Sequence, residues 1–402
     1  MRIVIFEPDA NGHQMVVVGH FLAEISRNIA NVHVILLTTR EAASHVNAQR
    51  VARKFSTFVT IHLAPVVSER SWFLAVLPSF YEDQWRRGEQ LHRGLRQIGI
   101  DNVDFVLIPH LESVGLWRLA LWRKLLHGKP WATVAHGIRF HHRKCGIRGP
   151  NRPIDVLQAL FFRLVIRDPT LTCFGTVDPF LFRFAESAKV RYCLDPSVRP
   201  NLSSSFDSRA AYGIRSDTFV VLIFGFLDHR KCIGILLEAA ARLRDELDLT
   251  IFLAGTQHTS LAAVLKGEAA EKLRKHESLV EVNRFIAEGE DIDPFGAADV
   301  VWVFYERDFV RNSGVLIQAG LAERPVIARQ QGIVGRLVEQ HELGLALTSE
   351  APETVIAALK RLAGDPALRC EMGANGARTF AQNTPEHFAQ PILDGIKAAL
   401  GR

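Results

Sequence analysis

The chain has 402 residues, of which 48% are hydrophobic and 23% are charged. Because this length exceeds one ordinary domain core and the composition leaves little room for disorder, we expect two folded domains. The five cysteines are scattered and lack metal-type spacing, and the N-terminus resembles a strand. No apolar run approaches the roughly 20 residues of a membrane span. Together these features favour a cytoplasmic protein.

The net charge of +5 is unevenly placed. Basic side chains far outnumber acids between Trp117 and Arg167, and tryptophan and phenylalanine residues run through the same stretch. This combination can bind anionic lipid or an acidic ligand, and a solvated basic face over buried aromatic residues is the alternative. Nucleic acid is not expected, because no RNA-binding, helix-turn-helix or zinc-finger pattern accompanies the charges.

Strand-length apolar runs alternate with segments of helical period in the first half of the chain. The predicted strands are 3–6, 32–38, 58–63, 103–108, 132–135 and 171–174, with helices between them, such as 13–29, 85–98 and 154–166. Such alternation predicts parallel strands joined by crossover helices.

The alternation restarts after a polar, turn-rich passage at 195–205. Strands are predicted at 219–224, 249–254, 279–283, 300–304, 325–328 and 345–347, and the remainder from about Ala351 has a helical period. We therefore predict an α/β protein with two doubly wound Rossmann-like domains facing across a cleft. The predicted boundaries are 1–190, 191–380, and a C-terminal helix within 381–402 that returns to the first domain.

Candidate ligand-binding residues follow the predicted strands, because open α/β sheets bind ligands at the carboxyl ends of their strands. Gly12 follows the first strand and allows a ligand close to the backbone, although a lone glycine turn is often structural. No three-glycine fingerprint supports a nicotinamide cofactor. His136 ends another strand and is either a donor to a sugar hydroxyl or a satisfied core histidine. His110 has the equivalent place in the preceding unit.

A glycine turn with two cations follows the first strand of the second domain. Gly225 begins this turn, and Arg230 and Lys231 lie where a helix is predicted to start. Two cations beside the positive end of a helix dipole indicate an anion, and a diphosphate would satisfy both. A solvated loop is the alternative.

The sequence Asn312-Ser313-Gly314 predicts a helix start after the strand at 300–304. Unpaired N–H groups and the helix dipole make such a start an anion site, although Ser313 is also an ordinary N-cap. Gln318 lies one turn beyond Gly314 on nearly the same face. It is either a hydrogen-bond partner for a ribose or an exposed polar residue.

These motifs resemble the retaining, nucleotide-sugar-dependent glycosyltransferases of the GT-B fold, in particular the family 4 group. The resemblance is carried mainly by residues 225–231, 235–239, 253–255, 293–300, 313–319 and 325–328, with Gly12, His13 and His136 in the first domain. It implies an enzyme that moves a sugar from a nucleotide diphosphate sugar to a glycan, lipid-linked or small-molecule acceptor. A role in polysaccharide biosynthesis and an anionic membrane surface as a partner are consistent with it.

The resemblance also implies roles for individual residues. Lys231 would hold the donor diphosphate, and His136 would touch the donor sugar. Gly12 would lie close to the phosphates or the acceptor, the Ser313-Gly314 helix start would bind the phosphate, and Gln318 would face the ribose. The family's mechanism uses no metal and no enzymic nucleophile, so no cofactor is expected besides the donor substrate.

The chain departs from the family pattern at three positions. Phe226 stands where the family has an arginine, so a diphosphate contact is missing unless Arg230 replaces it. The family's paired glutamates would fall on Val310 and Gln318, and Glu306 and Asp308 are the nearest acids upstream. Two other functions therefore stay open: a nucleotide-sugar 2-epimerase-like enzyme, and a catalytically degenerate sugar-nucleotide-binding protein.

Overall fold

The computed structural model describes residues 1–10, 14–68, 79–150, 152–197, 207–286 and 294–401. The chain divides into two compact units. The first comprises 1–145, 151–196 and 385–402, and the second comprises 146–150 and 197–384. Gly12 and most of the predicted 195–205 connection lie outside the described residues.

The first unit is built on a parallel seven-stranded sheet. Its strands are β1 (Arg2–Phe6), β2 (His33–Thr38), β3 (Val59–Leu63), β4 (Phe105–Ile108), β5 (Trp131–Ala135), β6 (Leu171–Thr176) and β7 (Val190–Tyr192), in the order β3-β2-β1-β4-β5-β6-β7. The central strands are almost wholly apolar because helices cover both faces of a parallel sheet. The three-residue edge strand β7 was not predicted from the sequence, since so short a run carries no clear periodicity.

Helices of the first unit cover both faces of this sheet. They are α1 (Gln14–Asn28), α2 (Arg40–Ser44), α3 (Val46–Lys54), α4 (Ser79–Ile98), α5 (Leu111–Val114), α6 (Leu116–Leu121), α7 (Ile154–Ile166) and α8 (Pro179–Ala185). Two separate apolar clusters, one on each side of the sheet, form the core. No described helix is long and apolar enough to cross a bilayer.

The second unit has a parallel six-stranded sheet. Its strands are β8 (Phe219–Phe224), β9 (Leu249–Ala254), β10 (Leu279–Val282), β11 (Val300–Val303), β12 (Val326–Arg329) and β13 (Gly344–Leu347), in the order β10-β9-β8-β11-β12-β13. Its helices are α9 (Ser208–Ala211), α10 (Ile233–Leu243), α11 (Ala262–Leu265), α12 (Glu268–Lys275), α13 (Pro294–Ala297), α14 (Gly314–Leu321), α15 (Gly332–His341), α16 (Pro352–Gly364) and α17 (Pro366–Phe380).

Helix α14 is held in place by close packing against α17. A Cβ atom on Gly320 would lie 2.4 Å from the Phe380 ring, and one on Gly376 would lie 2.7 Å from the Cα of Gly320. Both distances are far below van der Waals contact, so larger residues would push the two helices apart. The glycine pair therefore fixes where the N-terminus of α14 lies.

The last helix, α18 (Pro385–Ala399), belongs to the first unit. Its Phe388 ring lies 5.0 Å from that of Phe21 on α1. A Cβ on Gly395 would come within 2.8 Å of the Cβ of Cys173 on β6, so the helix packs directly on the sheet. The chain thus passes through the second unit and completes the core of the first with its final helix.

Each sheet has one point at which the strand order reverses. This point lies between β1 and β4 in the first sheet and between β8 and β11 in the second. The connections from the two strands at such a point run to opposite sides, which leaves a crevice at their carboxyl ends. This topology predicts where each unit offers a ligand site.

Candidate functional site

The loops that follow β8 and β11 lie side by side at the strand-order reversal of the second unit. The Glu306 N–H donates to the carbonyl oxygen of Arg230 at 2.8 Å. The Trp302 indole N–H donates to the carbonyl oxygen of Lys231, also at 2.8 Å. The first bond joins the two loops and the second ties strand β11 to the loop after β8, so together they fix the backbone from which the Lys231 side chain extends.

Lys231 is a buried lysine, 6% exposed, at the end of the 3-10 turn His229–Lys231. Its Nζ lies 5.2 Å from the centre of the Tyr305 ring. Among the residues that the structure describes, no carboxylate pairs with this ammonium group. A buried cation with only a ring face beside it is poorly compensated, so the position favours an anionic ligand.

Arg230 is engaged differently from its neighbour. Its guanidinium group forms an ion pair with Asp228 at 2.7 Å, and the side chain is 43% exposed. Asp228 also accepts the Arg230 backbone N–H at 3.1 Å, which closes the turn. The charge of Arg230 is therefore matched within the loop, whereas that of Lys231 is not.

Tyr305 connects Lys231 to the start of α14. Its hydroxyl lies 2.8 Å from the hydroxyl of Ser313, which is itself 5% exposed. The Tyr305 carbonyl oxygen accepts from Nε of Arg329 at 2.5 Å, and Arg329 pairs with Glu350 at 2.6 Å. The tyrosine is thus fixed at both its backbone and its hydroxyl.

The N-terminus of α14 has the properties of an anion site. Ser313 occupies the N-cap position, but its side chain makes no capping hydrogen bond. No acceptor is described for the N–H groups of Gly314 and Val315 in the first turn. A Cβ on Gly314 would meet nothing within 4 Å, so the space beside this turn is open. Free N–H groups facing open space are available to a phosphate.

Gly225 brings the end of β8 against this helix start. Its φ of +94° lies in the region that favours glycine, and a Cβ there would lie 3.9 Å from Val315. Behind it, a Cβ on Gly255 would come within 1.8 Å of the Gly225 carbonyl oxygen. A larger residue would therefore be strained at Gly225 and would clash at Gly255.

The two positions without the family's glutamates have different environments. Val310 is 6% exposed and packs against Gly149, where a Cβ would lie 3.2 Å from its side chain. Gln318 is half-buried on α14, and no hydrogen bond of its side chain is described. Of the two nearby acids, Glu306 lies 3.7 Å from His229. The segment that begins at Gly332 forms the first turn of α15.

In the first unit, His136 follows β5 and is held by its surroundings. Its N–H donates to Oε1 of Glu112 at 2.7 Å, and Nε2 of its ring lies 3.3 Å from the Pro109 carbonyl oxygen. The ring stacks on that of His110 with 4.6 Å between centroids. His136 thus lies at the expected sheet edge, but these contacts are also those of a structural histidine.

His110 pairs with a residue that the sequence reasoning missed. Its Nδ1 lies 2.5 Å from Oε2 of Glu7, which is fully buried at the end of β1. Burial by itself would lower the pKa of His110, but the charge and hydrogen bond of Glu7 outweigh it and the pKa is raised. Both residues follow the strands at the first unit's reversal point. Their positions directly after β1 and β4 were the signal that could have found the pair.

The sequence match to known proteins by family model lies in the second unit. Residues 218–365 match the family model for glycosyl transferases group 1. A D-inositol 3-phosphate glycosyltransferase from Streptomyces avermitilis is 29% identical over 205 residues, which cover 48% of this chain and 43% of the relative. The match therefore spans less than half of that protein's length.

Solved structures match nearly the whole chain. Sucrose-phosphate synthase from Thermosynechococcus elongatus has a TM-score of 0.68 at 16% identity, and the match covers 100% of this chain and 99% of the synthase chain. Anabaena HepE in complex with UDP has a TM-score of 0.66 at 15% identity, and the match covers 99% of this chain and 100% of the HepE chain. At such identity the likeness shows the fold. The predicted resemblance to GT-B glycosyltransferases is confirmed: the chain has the GT-B fold, and residues 218–365 match the model of glycosyl transferases group 1.

Proposed function

We propose that the protein is a glycosyltransferase that takes a sugar from a nucleotide diphosphate sugar donor. The observation that carries this proposal is the joint placement of Lys231 and the α14 N-terminus, with Tyr305 touching both. A lysine without an acidic partner among the described residues and a helix start with free N–H groups offer two sides to one diphosphate.

The chemistry of sugar transfer suits this arrangement. As the bond between the sugar and the diphosphate breaks, negative charge grows on the leaving oxygen. A fixed ammonium group and fixed N–H dipoles stabilise that charge without reorganising, since Trp302, Tyr305 and the Gly320–Phe380 packing already hold them. Lys231 is thus the proposed catalytic residue, and Ser313, Gly314 and Gly225 form the proposed phosphate-binding surface. For Arg230 we propose only a supporting role, because Asp228 already neutralises it.

A nucleoside diphosphate sugar is the proposed donor class. HepE, one of the proteins of similar fold, was solved with UDP and with UDP and glucose. We propose that the donor's ribose lies near Gln318, one turn along α14 from the phosphate. Contact of His136 with the donor sugar, transfer without a metal, and retention of the anomeric configuration remain predictions.

An exposed apolar patch on the first unit supports a lipid-linked acceptor at an anionic membrane surface. Val156, Leu157 and Leu160 on α7 are 75%, 47% and 49% exposed. Neighbouring α6 packs on α7 and ends in exposed Leu121. Exposed basic residues flank these elements, namely Arg143, Lys144, Arg152 and Arg163. Apolar side chains within a basic rim match the interface of an anionic bilayer. We propose peripheral attachment of a cytoplasmic protein, with a role in polysaccharide biosynthesis.

One observation favours a second function, a nucleotide-sugar 2-epimerase-like activity. Epimerisation requires a group that removes a proton from the sugar, and the Glu7–His110 pair is an acid–histidine pair at a ligand-binding edge. The glycosyltransferase proposal is preferred because residues 218–365 of the second unit match the family model for glycosyl transferases group 1.

Incubation with radiolabelled UDP-, GDP- and dTDP-sugars tests the proposal. Sugar transfer or slow donor hydrolysis that yields free nucleotide diphosphate is the expected result. Interconversion of two donor sugars without release of nucleotide would support the epimerase. Binding without any turnover would support the catalytically degenerate protein and contradict the proposal.

A further inference from the structure

A second group of chemically reactive side chains lies in the first unit, apart from the residues of the proposed function. The chain after β5 forms a 3-10 turn at His142–Cys145, and Asp178 follows β6 as the N-cap of α8. Because β5 and β6 are neighbours in the sheet, their carboxyl ends bring His141, His142 and Asp178 together. All three residues are buried, with exposures of 0%, 7% and 3%.

The donor atoms of the three side chains converge. Nε2 of His141 lies 2.8 Å from Oδ2 of Asp178, and Nε2 of His142 lies 3.5 Å from the same oxygen. One ligand atom from each residue lies within 4.8 Å of the other two. In a tetrahedral zinc site, bonds of about 2.0–2.2 Å place ligand atoms roughly 3.3 Å apart. Small side-chain movements would therefore allow all three atoms to coordinate one metal ion.

One of these three potential ligand atoms lacks a hydrogen-bond partner. Within the described part of the chain, Nε2 of the buried His142 makes no hydrogen bond. Leaving a polar atom buried without a partner is costly, and native structures usually satisfy it with an ion or a water. Since this nitrogen lies 3.5 Å from Oδ2 of Asp178, a cation bound by both atoms would satisfy it.

The carboxylate is already oriented for this role. Its Oδ1 accepts the N–H groups of Phe180 and Leu181 at 2.8 and 3.2 Å, which caps α8. These bonds fix the plane of the carboxylate and leave Oδ2 toward the histidines. Backbone hydrogen bonds to the outer oxygen of a ligating carboxylate are a typical support of a metal site.

We propose that His141, His142 and Asp178 bind a divalent first-row transition-metal ion, with Zn²⁺ as the ion to test. Two imidazoles and one carboxylate are a common set of three protein ligands, which leaves a fourth position for solvent. The ion fixes the His142–Cys145 turn to the start of α8. This site goes beyond the proposed function and does not depend on it.

Zn²⁺ binding to the full chain tests the proposal. After chelator treatment, equilibrium dialysis against Zn²⁺ with elemental analysis measures the bound metal, and Co²⁺ reports the ligand geometry through its visible absorption. We expect a single equivalent in the wild type and a higher melting temperature with Zn²⁺. His142→Ala and Asp178→Asn should each weaken binding by at least about 100-fold, the upper end for loss of an outer-shell partner.

The stacked pair His92 and His127 supplies the matched control. Their rings lie 4.4 Å apart in the same unit, but no described carboxylate pairs with either ring. His92→Ala and His127→Ala should bind Zn²⁺ like the wild type. Asp178→Asn keeps an oxygen for the α8 cap, and circular dichroism checks that each variant is folded. A wild type that binds no Zn²⁺, or folded His142 and Asp178 variants that bind it equally well, would overturn the proposal.

Discussion

The hydroxyl groups of Tyr305 and Ser313 share a hydrogen bond of 2.8 Å. Ser313 holds the N-cap position of α14, but its side chain, directed toward Tyr305, makes no capping hydrogen bond. The first N–H groups of α14 therefore remain available, and the same tyrosine presents its ring to Lys231 at 5.2 Å. One aromatic side chain thus organises both halves of the proposed phosphate site.

Tyr305→Phe should weaken nucleotide diphosphate binding. Without the tyrosine hydroxyl, the Ser313 hydroxyl is free to cap α14 and competes with the phosphate for its N–H groups. One hydrogen bond of this kind corresponds to about 2- to 10-fold in Kd, measured by calorimetry with UDP and GDP. Tyr212→Phe, in the same unit, is the control and should leave Kd unchanged. Equal affinity in wild type and Tyr305→Phe would show that Ser313 does not need this partner.

Lys231→Met should abolish most of the transfer activity while the protein stays folded. Methionine keeps much of the apolar stem but removes the charge that faces the leaving diphosphate. Loss of one such group lowers kcat by about 100- to 1,000-fold. The measurement is initial-rate transfer or donor hydrolysis, with circular dichroism as the folding check. The exposed Lys275→Met serves as the control, and unchanged turnover in Lys231→Met would refute the assignment.

Gly225→Ala should destabilise the second unit, whereas Gly314→Ala should not. The φ of +94° at Gly225 is unfavourable for alanine by about 1–2 kcal/mol. At Gly314 φ is not positive and a Cβ would meet nothing within 4 Å, so alanine fits. Urea unfolding of both variants gives the free energies. Equal stabilities would contradict the backbone conformation at Gly225.

Restoring the family's glutamates should affect stability very differently at the two positions. Val310→Glu places a carboxylate in a buried apolar contact with Gly149 and should cost about 3–5 kcal/mol of stability. Gln318→Glu lies at a half-buried helix position and should change stability by less than about 0.5 kcal/mol. Thermal and urea unfolding distinguish them. A stable Val310→Glu variant would mean that the loop can rearrange to expose this residue.

The apolar patch on α7 should carry any attachment to anionic membranes. We expect the wild type to float with liposomes that contain phosphatidylglycerol at low salt. Leu157→Ser with Leu160→Ser should lower the partition coefficient at least about tenfold, since both side chains lose apolar burial. Leu63→Ser, which changes a 43% exposed leucine on β3, is the matched control. No flotation of the wild type would remove the membrane proposal.

Much of the architecture follows from local sequence. Apolar runs and helical periods recur over a few residues, so α7, β8 and β9 were predicted with their observed bounds. Gly225 and Ser313 were also identified locally, because a glycine after a strand and a serine before a helix have direct backbone consequences. For the same reason the sequence predicted a helix start where α14 begins.

The pairing of side chains was decided by tertiary structure. Glu7 and His110 are 103 residues apart, and only the adjacency of β1 and β4 brings them together. His141 and Asp178 meet for the corresponding reason at β5 and β6. Local sequence therefore determined which residues stand at the ends of strands. The order of strands in the sheet, set by contacts distant in sequence, determined which of those residues touch.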